Sequence, residues 1–181
     1  MKKLIGITQR IAIAEGSGES RDCLARDWYG FLSALGVNWL ALPNDSGSAL
    51  NLAQHLRLDG IILSGGDDIG VFPERDETAR ALRKWGSDNS RPLLGVCRGF
   101  QVLHHWFGGH LCRVNPKLHA GARHRLDGGG SDDLEVNSFH NFSPDFSSLP
   151  DGYPLRVRHR CAVDGNVEAA ANGLFSGIMW H

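Results

Sequence analysis

The sequence lacks an excess of charge of either sign. Its 181 residues contain 19 Lys and Arg against 20 Asp and Glu, which gives a formal net charge of −1. Proteins that bind nucleic acid or anionic membrane surfaces electrostatically present a basic excess. We therefore expect neither as a partner. No apolar stretch approaches the roughly 20 residues that span a bilayer, so we also expect no membrane segment.

The sequence also lacks a disulfide pattern. Its four cysteines, Cys23, Cys97, Cys112 and Cys161, form no C-x-x-C pair and no compact framework. The start, MKKLIGITQR, interrupts its apolar run at Gly6 and therefore predicts a buried strand rather than a signal peptide. These features predict a cytoplasmic protein, in which the cysteines other than Cys97 are small buried hydrophobes.

No repeat, low-complexity block or linker divides the chain, so we expect a single domain over residues 1–181. In the first half, short apolar runs alternate with segments of helical periodicity. Continuous apolar runs are typical of parallel strands covered on both faces. The pattern predicts an α/β fold with a doubly wound, mostly parallel sheet, complete before residue 111. The predicted strands are LIGIT, VNWLALP, GIILS and PLLGV, and the predicted helices are residues 19–35, residues 49–56, ERDETARALRKW (at the surface) and RGFQVLHHWFGG.

After Leu111 the pattern changes to short β-like runs without a convincing helix. These runs predict an antiparallel β extension that adds residues to the C-terminal edge of the parallel strands, where open α/β sheets bind ligands. The stretch HAGARHRLDGGGSDD is predicted to be a mobile polar loop. The predicted strands are LEVNSF, PLRVRHRCAV, NVEAAA and SGIMW.

The run LLGVCRGFQ places Cys97 between Gly95 and Gly99. G-x-C-x-G is the thiol counterpart of the G-x-S-x-G nucleophile elbow, in which a strand turns sharply into a helix. A thiol needs a base or a dipole to ionise near neutral pH, and the helix that begins near Arg98 supplies the dipole. A histidine would supply the base. The alternative is a buried structural cysteine at a strand end.

The segment LSGGDDI, from Leu63 to Ile69, follows another apolar strand. Its glycines can turn their N–H groups into the space above the sheet and so form part of an oxyanion hole. The alternative is a tight turn with a capping aspartate.

Three of the nine histidines, His119, His124 and His140, are candidates for a zinc site. Their spacing matches no compact zinc-ligand pattern, so we expect no metal and no other cofactor. His124 is instead expected to line the substrate mouth.

Five segments, in order, resemble class I glutamine amidotransferase-like proteins and specifically their γ-glutamyl hydrolase branch. They correspond to the oxyanion strand, the nucleophile segment, the V-N-S-x-H segment, the D-G-x-x-E-A strands and the start of the catalytic-histidine segment. The N-terminal stretches ITQR and ESRDCLARDWYGFLSALG are most similar to a bacterial subgroup that hydrolyses γ-glutamyl-CDP-amidate during capsule phosphoramidate synthesis. The five segments are GIILSGGDDI, LLGVCRGFQVLHHWFGGHL, VNSFHNF, AVDGNVEA and GIMWH.

The resemblance implies a flavodoxin-like fold and a set of catalytic roles. Cys97 would attack the γ-carbonyl of a glutamyl group, and the N–H groups of Gly66 and Arg98 would hold the oxyanion. His181 would act first as the base and then as the acid that protonates the departing amine. A thioester would form, and water would release glutamate. The residues implied to bind the substrate are Gly65, Gln101, Asn137, Ser138, Phe139 and His140.

In the family, a proline and an orienting glutamate follow the W-H pair, whereas this sequence ends at His181. We therefore expect the third triad member to be absent, the imidazole to be mobile and activity to be reduced. Asp67, Asp68 and Glu168 are candidate substitutes, and their spacing favours none of them.

Three functions remain open at this point. The first is hydrolysis of a small γ-glutamyl amide, either by the chain alone or by a homodimer. The second is a glutaminase subunit that delivers ammonia to a separate synthase. The third is a catalytically inactive binding or regulatory homologue.

Overall fold

The computed structural model describes residues 2–127 and 134–181. Contacts between Cα atoms divide the chain into a first unit, Met1–Leu93, and a second unit, Leu94–His181. The single domain expected over residues 1–181 therefore remains a prediction. Within the described ranges, no helix has the length and apolarity needed to cross a bilayer.

The first unit contains a parallel sheet in the strand order β4-β1-β5. All four residues of β5 are buried, as the continuous apolar run predicts for a strand covered on both faces. At Gly6, an added Cβ would lie 2.6 Å from Leu58 and 2.7 Å from Leu42, so only glycine lets these side chains pack there. The elements are β1 Leu4–Thr8, β2 Arg10–Ile13, β3 Ser20–Cys23, α1 Asp27–Ala34, β4 Asn38–Leu42, α2 Ser46–His55, β5 Gly60–Leu63 and α3 Pro73–Asp88.

The predicted helix over residues 19–35 is wrong in its first part. Ser20–Cys23 pairs with Arg10–Ile13 as an antiparallel hairpin, and the helix covers only Asp27–Ala34. Backbone pairing with β2 outweighs the apolar periodicity that favoured a helix. Within this helix Leu32 is fully buried, whereas Phe31 is 46% exposed.

The second unit contains a sheet in the order β6-β13-β12-β11-β8-β9, and the pairs from β13 to β9 are antiparallel. The predicted antiparallel extension is therefore confirmed. Strands β7 and β10 form a separate antiparallel pair. The elements are β6 Leu93–Val96, α4 Arg98–Trp106, β7 His110–Arg113, α5 Pro116–His119, β8 Ala120–Asp127, β9 Glu135–Phe139, β10 Phe142–Asp145, β11 Arg156–Cys161, β12 Val167–Ala171 and β13 Phe175–Ile178.

Two details of the second half differ from the prediction. Ala120–Asp127, predicted to be a mobile loop, is a strand paired with β9, and the rest of that predicted loop, 128–133, lies outside the described residues. A single helical turn, Pro116–His119, precedes it because Asn115 caps the turn by accepting a hydrogen bond from the Lys117 N–H.

Strand β13 packs closely against helix α4. An added Cβ on Gly177 would lie 2.1 Å from the ring of Phe100, which is fully buried. Only glycine therefore lets the helix pack this close to the strand. Strand β13 lies beside β6, so the antiparallel extension joins the sheet at β6.

Candidate active site

Cys97 occupies a strained backbone position between β6 and α4. Its φ is 51° and its ψ is −107°, which a residue with a Cβ rarely adopts. Its N–H donates to the Ile178 carbonyl at 2.7 Å, and its carbonyl accepts from the N–H groups of Phe100 and Gln101. These bonds hold the residue at the N-cap of α4, in the strand–turn–helix geometry that G-x-C-x-G predicts.

The glycines beside Cys97 allow the strand and the helix to touch. A Cβ added to Gly95 would lie 2.5 Å from the backbone carbon and oxygen of Gly99 and 2.6 Å from the Phe100 nitrogen. These neighbours are backbone atoms and cannot rotate away. The sharp turn at Cys97 therefore depends on Gly95.

We expect Gly95→Ala to lower the free energy of unfolding by about 1–3 kcal/mol, the usual cost of overpacking a tight site. Gly30→Ala is the matched control, because Gly30 lies in α1 and a Cβ there meets no atom within 4 Å. Alanine in a helix should leave stability unchanged or raise it by up to about 1 kcal/mol. Urea unfolding measures both variants. Equal midpoints for Gly95→Ala and the parent chain would contradict the packing described above.

The first turn of α4 lies directly after Cys97. Arg98 and Gln101 are both buried, and the Gln101 side-chain amide donates to the Phe142 carbonyl at 2.8 Å. The N–H of Arg98 belongs to the helix N-terminus, where backbone donors lack intrahelical acceptors and attract negative charge. A developing oxyanion beside Cys97 would meet such donors.

The predicted binding segment 137–140 divides between two environments because side chains alternate along β9. The Asn137 amide accepts from the His181 N–H at 3.0 Å and donates to the His181 carbonyl. Phe139 is exposed, and its ring lies 5.8 Å from the His181 ring. Ser138 and His140, in contrast, are buried. One face of the segment therefore holds His181, and the side chains of the other face are buried in the interior.

His181 is held through its backbone by the side chain of Asn137. Partial burial of its imidazole lowers its pKa below the ordinary 6.5, and the nearby charge of His140 lowers it further. A lowered pKa keeps the imidazole neutral, and therefore able to accept a proton, at more acidic pH.

Glu168 is the fully buried acid of β12. Its Oε1 lies 3.4 Å from His119 Nδ1, 3.3 Å from His124 Nε2 and 3.6 Å from His140 Nε2. Burial alone would raise the pKa of Glu168, but the neighbouring His119 and His140 outweigh burial and the net shift is downward. The carboxylate therefore faces these three histidines. His124, expected at a substrate mouth, is itself buried.

Gly65 and Gly66 follow β5 in the first unit, and a buried arginine organises them. Arg75 Nη2 donates to the Gly65 carbonyl at 2.6 Å, and Nη1 donates to Asp67 Oδ2 at 3.3 Å. Gly66 has a φ of 122°, and an added Cβ would lie 3.0 Å from Arg75 Nη1. The carbonyl of Gly65 and the N–H of Gly66 share one trans peptide unit and point in opposite directions. Arg75 therefore turns the Gly66 N–H away from itself.

Sequence reasoning missed Arg75. The segment ERDETARALRKW was interpreted as a surface helix, yet Arg75 is only 1% exposed. The available signal was local: an arginine seven residues after the last aspartate of SGGDD can fold back onto the carbonyls of that loop.

The other three cysteines, Cys23, Cys112 and Cys161, lack the positive φ of Cys97. All four cysteines are reduced. Burial raises the pKa of Cys112 and of Cys161, so both thiols stay protonated at neutral pH. Cys161 is buried, whereas Cys23 and Cys112 are only partly buried, so the expectation of fully buried small hydrophobes holds for one of the three.

Comparisons with known proteins agree with this architecture. The family model for glutamine amidotransferase class-I matches residues 30–177. The chain is 32% identical to γ-glutamyl-CDP-amidate hydrolase of Campylobacter jejuni subsp. jejuni, over 98% of this chain and 88% of the relative. It is 28% identical to one subunit of the glutamine-hydrolysing GMP synthase of Thermoplasma acidophilum, over 77% of this chain and 69% of the relative.

The fold has a clear match among solved structures. The crystal structure of a glutamine amidotransferase from Thermotoga maritima aligns with a TM-score of 0.75 and 15% identity, covering 100% of this chain and 76% of that chain. The predicted α/β fold class is thereby confirmed. Because the family match covers most of the chain, this protein belongs to the class I glutamine amidotransferase family and is an amide-hydrolysing enzyme.

Proposed function

We propose that this enzyme hydrolyses a γ-glutamyl amide through a thioester on Cys97. The observation that carries the proposal is the strained backbone of Cys97, with φ at 51°, directly at the N-terminus of α4. Strain of this kind persists where the surrounding structure enforces it and is concentrated at functional positions. A helix N-terminus favours the thiolate over the thiol.

The proposed first half-reaction forms the thioester. His181 accepts the Cys97 proton, and the sulfur attacks the γ-carbonyl carbon of the glutamyl group. The carbonyl oxygen becomes an oxyanion that accepts a hydrogen bond from the Arg98 N–H. The C–N bond then breaks, and His181 gives its proton to the departing amine.

The second half-reaction restores the enzyme. Water enters where the amine has left, and His181 takes a proton from it as the oxygen attacks the thioester carbon. The C–S bond breaks, the sulfur regains a proton and glutamate is released. Each half-reaction uses the same base and the same oxyanion donors.

The resemblance assigns the second oxyanion donor to the N–H of Gly66. The contact between Arg75 and the Gly65 carbonyl supports this role, because it fixes the orientation of the peptide unit that carries the N–H. A donor fixed in advance costs no reorganisation when charge develops. Arg75 is thus a positioning residue in the proposed mechanism, and Gly65 and Gln101 are assigned to substrate binding.

We further propose γ-glutamyl-CDP-amidate as the substrate, with glutamate and cytidine diphosphoramidate as products. The support is the 32% identity to the Campylobacter jejuni hydrolase over nearly the whole chain, together with the N-terminal resemblance to the capsule phosphoramidate subgroup. The second candidate is a glutaminase that passes ammonia to a separate synthase, which the similarity to the GMP synthase of Thermoplasma acidophilum favours.

A substrate panel tests both proposals. Glutamate release should be fastest from γ-glutamyl-CDP-amidate and slower from L-glutamine, whereas a glutaminase that serves a synthase would prefer L-glutamine. We expect β-aspartyl analogues to react on the order of 100-fold more slowly, because one missing methylene displaces the carbonyl from the thiol by about 1 Å. Cys97→Ala, assayed in parallel, sets the background. Equal rates for the γ-glutamyl and β-aspartyl series would contradict the assigned pocket.

A further inference from the structure

Three histidines and a glutamate meet in the interior of the second unit. His119 and Glu168 are fully buried, while His124 and His140 are 5% and 3% exposed. They come from α5, β12, β8 and the residue after β9, respectively. The spacing of these histidines along the chain predicted no metal site. The fold brings together positions that are distant in the sequence, which such spacing does not register.

Several polar atoms of this cluster are buried without a hydrogen bond of good geometry. They are His124 Nε2, both ring nitrogens of His140 and both carboxylate oxygens of Glu168. Charge-assisted hydrogen bonds normally measure about 2.7–2.9 Å, whereas the three N–O distances at Glu168 Oε1 are 3.3, 3.4 and 3.6 Å. The lone pairs that converge here therefore lack a strong partner, except that His119 Nδ1 also lies 3.3 Å from Ser138 Oγ.

The distances from Glu168 Oε1 to its neighbours suit a tetrahedral cation. Ligand atoms at about 2.0–2.1 Å from a zinc ion lie about 3.3–3.4 Å from one another. The distances from Glu168 Oε1 to the three histidine nitrogens, 3.3–3.6 Å, are close to that edge length. One ligand atom each from His119, His140 and Glu168 lies within 4.8 Å of the others.

The outer nitrogens of two of the histidines have partners. His119 Nε2 donates to Asp164 Oδ2 at 2.9 Å, and Asp164 in turn accepts from the Asn166 side chain. His124 Nδ1 donates to the Leu118 carbonyl at 3.2 Å. Metal-bound histidines characteristically give their second N–H to a carboxylate or a backbone carbonyl, which fixes the tautomer.

We propose that His119 Nδ1, His140 Nε2 and Glu168 Oε1 bind a single Zn²⁺ ion. Imidazole nitrogens with one carboxylate oxygen suit zinc, and a water molecule would take the fourth position of the tetrahedron. The ion would tie β12 to α5 and to the end of β9. Strand β9 also carries Asn137, which holds His181, so the metal would stiffen the support of that histidine.

Metal content tests the proposal independently of activity. The purified chain is incubated with ZnSO₄, passed through gel filtration and analysed by mass spectrometry for metals. We expect one zinc per chain, at least a fivefold loss in Glu168→Gln and His140→Gln, and no loss in the control His110→Gln, which removes an exposed histidine of the same unit. An unmodified chain without zinc, or variants that retain it, would overturn the proposal.

A second measurement guards against variants that fail to fold. Co²⁺ bound to the unmodified chain should give the intense visible absorption of a tetrahedral nitrogen and oxygen site, and Zn²⁺ should abolish it by displacement. Cys161 lies close enough to His119 and His124 to offer a thiolate. Sulfur-to-cobalt charge transfer in the near ultraviolet, absent from Cys161→Ser, would overturn the assigned ligands.

Discussion

Replacing Cys97 with alanine should lower kcat for γ-glutamyl amide hydrolysis by on the order of 10⁴-fold or more. In hydrolases that act through a covalent intermediate, loss of the nucleophile costs up to about 10⁶-fold in turnover. The fold should persist, because the elbow is held by backbone bonds, including that from the Cys97 N–H to Ile178. Glutamate release measures activity, and circular dichroism measures folding.

Cys112→Ala is the matched control for this prediction. Cys112 is partly buried and its thiol pKa is raised by burial, so it stays protonated and takes no part in the proposed chemistry. We expect Cys112→Ala to keep at least half of the parental activity. A Cys97→Ala variant that keeps more than a tenth of that activity would disprove the assigned nucleophile.

Replacing His181 with alanine should reduce kcat on the order of 10⁴-fold, because the proposed base and the donor to the leaving amine are lost together. The pH profile gives a second reading. Burial and the charge of His140 lower the pKa of His181 in the folded chain, so the imidazole should stay neutral below its ordinary 6.5. The apparent pKa of the acid limb of the kcat/KM profile should therefore lie below 6.5. Activity should be present above that pKa and be lost as the pH falls through it.

The pH profile is measured on the parent chain, on His181→Ala and on the control His159→Ala. The residual activity of His181→Ala should lack this limb, while His159→Ala should retain it. A limb at or above pH 6.5 in the parent chain, or the same limb in His181→Ala, would show that another group titrates.

The elbow could be predicted from the sequence because its causes are local. Gly95, Cys97 and Gly99 lie within five residues, and the contact that requires glycine, between Gly95 and Gly99, is set by their spacing. The parallel strands of the first unit were predictable for a similar reason, since a run such as GIIL is buried throughout.

The remaining features depend on contacts between distant positions. Glu168 meets His119 across 49 residues, and no pattern in either segment indicates the other. The residue that accepts the Cys97 N–H, Ile178, lies in the last strand, which the sequence placed outside the parallel sheet. Backbone pairing over Ser20–Cys23 likewise overrides a helical apolar pattern.

The most direct test of the central claim is to trap the covalent intermediate. The enzyme is mixed with a γ-glutamyl amide that carries a heavy-isotope glutamyl group, quenched in acid within one turnover, digested and mapped by mass spectrometry. We predict a labelled glutamyl thioester on the peptide that contains Cys97, lost after treatment with neutral hydroxylamine and absent from Cys97→Ala. Label on the peptide of Cys23, Cys112 or Cys161, or rapid glutamate release by Cys97→Ala, would contradict it.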